Sequence, residues 1–126
     1  MSVSYNQAVY KFFELSAAAE RIDSEMLGEP VEPAFEAVLN YTLAHPESRK
    51  LFINAFLKMA RDPNLGPPEL IQFCMHALRW EEVRIELAAW LEKETSERVR
   101  HILRKLLMAF DDDWYDADAY ARFRAQ

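Results

Sequence analysis

Three histidines, one cysteine and a run of aspartates near the C-terminus are the residues of this chain whose types could do chemistry. Metal binding and acid–base catalysis draw most on histidine, yet none of the three is spaced for either. His45 precedes Pro46 at the end of a predicted helix, where a partial positive charge complements the helix dipole. His76 follows Cys74 by two residues, which puts the pair on different sides of a helix. Zinc calls for spacings such as C-x₂-C or H-x₃-H, and neither occurs. Glu97 and His101 stand four apart on one helical face, the geometry of a surface ion pair when no second ligand cluster accompanies it. Cys74 falls on an apolar stripe, where a thiol is buried and inert. The chain has no G-x-S-x-G elbow, P-loop or G-x-G-x-x-G, and its two glycines could hardly build a phosphate cradle. Glu81-Glu82 opens a helix and suits its dipole before it suggests an acid–base pair. The expectation is a protein that is not an enzyme and holds no metal or cofactor.

Binding chemistry is better represented. Residues 111–120 contain five Asp and no Lys or Arg, so they supply −5 of a formal net charge of −6. Trp114, Tyr115 and Tyr120 are set among Asp111, Asp112, Asp113, Asp116 and Asp118, with Phe123 beyond. Trp and Tyr concentrate at interface hot spots because they bury much area while keeping a polar handle. These eight residues form the candidate partner-binding site. Trp114 turned inward as an anchor, and the aspartates as a solubilising tail, are the bland counterparts of that assignment.

Charge narrows the partner. A pI near 5.1 opposes general nucleic-acid affinity, which needs clustered Lys and Arg, and leaves open a basic protein partner. Arg98, Arg100, His101, Arg104 and Lys105 form a basic face just before the aspartates. They complement the negative end of their own helix, and the Asp run could fold back onto them. A lone cysteine excludes an intrachain disulfide and fits a reducing compartment. The N-terminus lacks the pattern of a signal peptide, and no window approaches a membrane span. A cytoplasmic protein with no membrane partner is expected.

The elements that must position these residues are helical. Both glycines and all six prolines lie in the first 68 residues and punctuate the chain. Ser4 with Gln7 makes a capping box and Gly28 a stop, bounding a first helix with Tyr5, Ala8, Val9, Phe12, Leu15, Ala19, Ile22 and Met26 on one face. A second helix follows Pro33 with the stripe Phe35, Val38, Leu39, Thr42 and Leu43. Pro46 opens a third, with Phe52, Ala55, Phe56 and Met59 inside, and residues 62–66 are a loop. Pro67 and Pro68 start a fourth, striped by Leu70, Phe73, Cys74, Ala77 and Leu78. Breaks near Arg79-Trp80 and Lys93-Glu94-Thr95 bound a fifth helix burying Val83, Leu87, Trp90 and Leu91. Thr95 or Ser96 caps a sixth, whose stripe is Val99, Ile102, Leu103, Leu106, Leu107 and Phe110. Core packing is the expected role of Trp80 and Trp90.

No segment alternates as a strand would, so the fold class is all-α. Five to six antiparallel amphipathic helices should form a single domain over 1–126, with an acidic-aromatic segment at 111–126. Two arrangements fit: stacked hairpins in a HEAT-like α-solenoid, or an irregular helical bundle. Leu70 to Trp80, followed by Phe110-Asp111-Asp112-Asp113-Trp114, resembles small HEAT-like all-helical bacterial proteins of the toxin-immunity type. That resemblance covers under half the chain. It implies an inhibitor that covers a basic surface of a cognate toxin. A helical scaffold holding a peptide on its concave face, or a domain with a small-molecule pocket between helices, are the alternatives. A homodimer through exposed aromatics is compatible with all three.

Overall fold

Apolar periodicity and helix-end chemistry account for most of the element boundaries. The computed structural model describes residues 2–25 and 32–111, and among these the chain is all-α with no strand. The helices are α1 (Ser2–Glu25), α2 (Glu32–Ala44), α3 (Arg49–Arg61), α4 (Pro68–Leu78), α5 (Glu81–Lys93) and α6 (Glu97–Met108). No described helix is long and apolar enough to cross a membrane.

Departures from the expected boundaries have local causes. α1 begins at Ser2, so Ser4 lies within the helix rather than at its cap, and Gly28 falls outside the described residues. Pro33 sits in the first turn of α2, where its missing N–H costs nothing. Pro46 opens a short 3-10 turn, Pro46–Ser48, and the α-helix proper starts only at Arg49. Residues 62–66 are less open than a loop. The Asp62 carboxylate accepts the Asn64 N–H at 3.1 Å and starts a second 3-10 turn, Pro63–Leu65. Phe110 lies beyond the end of α6, in a turn.

Contacts divide the chain into two compact units, with the division between Leu70 and Ile71, inside α4. In the first unit α1 packs on α2 and α3. Ala8, Phe12 and Ala19 of α1 are buried, as are Phe35, Val38 and Leu39 of α2 and Phe52, Ala55, Phe56 and Met59 of α3. Phe12 is the centre of the aromatic packing. Its ring stacks on Phe52 at 5.5 Å and meets Phe56 edge-on at 4.9 Å, both favoured geometries. Ser16 and Thr42 are buried without leaving a hydroxyl unmatched, since each donates to a carbonyl one turn back, Phe12 and Leu39. Leu43 is the exception to the expected stripe. It is 47% exposed, because eight residues after Phe35 the face has drifted to the edge of the packed arc.

In the second unit α5 packs on α6, burying Val83, Leu87, Leu103 and Leu106. Trp80, Trp90 and Leu91 are only half-buried, not core residues. α4 is buried around its whole circumference from Leu70 to Ala77, Gln72 and His76 included. His76 and Cys74 do leave the helix on different sides, but both sides are closed to solvent.

Candidate protein-interaction surface

Of the eight expected partner-binding residues only Asp111 belongs to the described part of the chain, where it is exposed. Asp112, Asp113, Trp114, Tyr115, Asp116, Asp118 and Tyr120 lie outside the described residues. What the structure does define is the point from which that segment departs.

A helix ends with carbonyls that no intrahelical N–H can reach. At the end of α6 the ladder tightens: Ala109, Phe110 and Asp111 donate to Leu106, Leu107 and Met108, each three residues back. The switch takes from the Lys105 carbonyl the N–H four residues on. α4 supplies the replacement. Gln72 donates its side-chain N–H to the Lys105 carbonyl at 2.8 Å. His76 donates from Nδ1 to the Ala109 carbonyl at 3.0 Å, and Arg79 reaches the Phe110 carbonyl at 3.2 Å. Gln72 and His76 stand four apart on one face of α4, and Arg79 follows just past its end, so the three donors together clasp the carbonyls at and just beyond the end of α6. Arg79 ends α4 with φ 53°, in the left-handed region, and a second bond from its Nε to the His76 carbonyl at 3.3 Å holds it there.

Sequence reasoning missed this clasp. The available signal was two polar donors at positions i and i+4 of an apolar helix, with an arginine just past its end. An all-round apolar helix is a buried one, and a buried donor needs an acceptor.

The basic face of α6 is partly spent on the fold. Arg100 donates to the Leu91 carbonyl at 2.7 Å and to the Glu94 carbonyl at 3.2 Å, covering the end of α5. Glu97, expected to pair with His101, instead meets Arg104 at 3.1 Å and Arg100 at 3.9 Å. The longer arms of arginine reach the carboxylate from one and two turns away. The corner between α5 and α6 is drawn tight by Glu94, whose carboxylate accepts the Trp90 indole N–H at 2.8 Å and the Ser96 N–H at 2.9 Å. Those bonds, that from Ser96 first, hold the Glu94 carboxyl below its usual range. Ser96 caps α6 as expected, accepting the Val99 N–H.

The remaining chemistry-bearing residues sit apart. His45 pairs through Nδ1 with Glu47 at 3.2 Å and packs on the Tyr41 ring at 4.5 Å, beside a cavity of about 580 Å³ in the first unit. Cys74 is buried, and burial pushes its thiol well above the ordinary range. Among the described residues no three His, Cys, Asp or Glu side chains gather where a metal could bind. Compared with models of known families, with curated proteins and with solved structures, the chain found no match.

Proposed function

We propose that this chain is a non-enzymatic protein-binding domain of the immunity or antitoxin type, acting in the cytoplasm. Asp111, Asp112, Asp113, Asp116 and Asp118 would meet Arg and Lys lining a basic cleft of a partner such as a cognate toxin. Trp114, Tyr115 and Tyr120 would supply the desolvated centre. The observation that carries this reading is the clasp. Two side chains of α4 and that of Arg79 just past it fix carbonyls at and beyond the end of α6, so the acidic sequence starts from a braced point with an exposed Asp111. Presentation from a rigid base lowers the ordering cost of association. Commitment of one Arg100 nitrogen to the end of α5 supports it further, since part of the basic face beside the aspartates is spent within the fold.

The test is affinity capture from the native cell, followed by kinetics with the purified partner. A basic protein should be recovered by the wild type. With Asp112, Asp113, Asp116 and Asp118 changed to Lys, association at low salt should slow by about tenfold or more, and the gap should close as salt rises. Equal association rates for the two chains would sink the reading.

A further inference from the structure

One surface of the second unit is complementary to an acidic segment that carries a large ring. A groove of about 320 Å³ is lined by Arg84 of α5, Arg104, Leu107 and Met108 of α6, and Phe110 and Asp111 beyond it. Met108 is 36% exposed, and the side chains of Arg84 and Arg104 are 43% and 47% exposed. Each guanidinium has an internal partner, Glu81 for Arg84 and Glu97 for Arg104. Exposed pairs of this kind hold weakly, and a guanidinium offers five N–H donors, more than one carboxylate uses.

We propose that this groove is a docking site for the chain's own acidic-aromatic sequence, residues 112–120. The inference rests on the partner-binding role proposed for those residues and adds its regulation: groove and partner compete for one sequence. Three considerations select this occupant. Asp111 itself lines the groove, so the segment begins there. Trp114 is three residues on, a tether of about 10 Å at most, which gives a local concentration on the order of millimolar. Finally, Asp112, Asp113, Asp116 and Asp118 match two arginines, while Trp114 and Tyr115 match Leu107, Met108 and Phe110. The docking is exchangeable, because it is built from exposed charges and one shallow apolar surface. A partner with a denser basic cleft displaces it, and its apparent affinity falls by the fraction of chains that are docked.

The full chain alone tests this. Chymotrypsin can cut after Trp114, Tyr115, Tyr120 or Phe123, and docking protects those bonds. The Arg84→Glu/Arg104→Glu variant should be cut there about tenfold faster than wild type at low salt, and high salt should bring the wild type to the same rate. If that variant fails to fold, Asp112→Asn/Asp113→Asn leaves α1–α6 unaltered and should show the same gain. With methionine methyls labelled, Trp114→Ala should move the Met108 signal more than that of any other methionine. Equal cleavage rates with an unmoved Met108 signal overturn the proposal. Protection that grows with protein concentration also overturns it, assigning the groove to a second copy's segment. Neither result touches the partner-binding reading, which association kinetics decide separately.

Discussion

His76 has no exposed surface, and its imidazole must find partners inside the protein. Donation from Nδ1 to the Ala109 carbonyl satisfies one nitrogen and one orphan carbonyl together. Replacing His76 with Ala removes the donor and leaves a cavity. The two costs combine to about 2–4 kcal/mol, and the loss should appear in the urea midpoint. His76→Asn keeps a donor of similar reach and should recover part of it. If His76→Ala unfolds no more easily than wild type, the clasp contributes nothing. At this scale the sequence was a poor guide. It separates His76 from Cys74 correctly by helical angle, but angle alone does not say that both faces are covered. Arg79 is similar: nothing in its type announces a positive φ, which a bond to the His76 carbonyl and another to Phe110 make tolerable.

Elements were far more legible, because each stripe is a local property. The packed arcs at Phe35-Val38-Leu39-Thr42 and Phe52-Ala55-Phe56-Met59 lie where their spacing puts them. The Ser96 cap was visible for the same reason. The α5–α6 corner was not, since it depends on side chains that reach past their neighbours. Glu94 takes the Trp90 and Ser96 N–H groups together, and its lowered pKa has a consequence for stability. A carboxyl whose folded pKa is below its unfolded one stabilises the fold above the unfolded value, and that contribution is lost as pH falls through the folded value. The melting temperature of wild type should therefore exceed that of Glu94→Gln at neutral pH. The difference should persist down to the ordinary glutamate range, about pH 4, and vanish on further acidification. A pH-independent gap would mean that the Glu94 charge is not what holds the corner.

Across the whole molecule, charge is distributed very unevenly, and this was the most legible feature of all. Of a net −6, residues 111–120 carry −5. Whether that concentration is architecture or function turns on what holds the end of α6. Among the described residues, the bonds from Gln72, His76 and Arg79 go to the carbonyls of residues 105, 109 and 110, on the N-terminal side of Asp112. A chain ending at Asp111 keeps these three. It loses four Asp and two Arg, which moves the net charge from −6 to −4. The melting temperature should move by no more than about 3 °C, a shift worth about 0.7 kcal/mol. The same chain should lose partner association altogether. A docked but exchangeable segment is consistent with so small a thermal effect, whereas an acidic sequence acting as a structural anchor is not. A melting temperature lowered by many degrees would therefore place the aspartates and their aromatics among the supports of the fold, and the partner surface would have to be sought elsewhere on α4–α6.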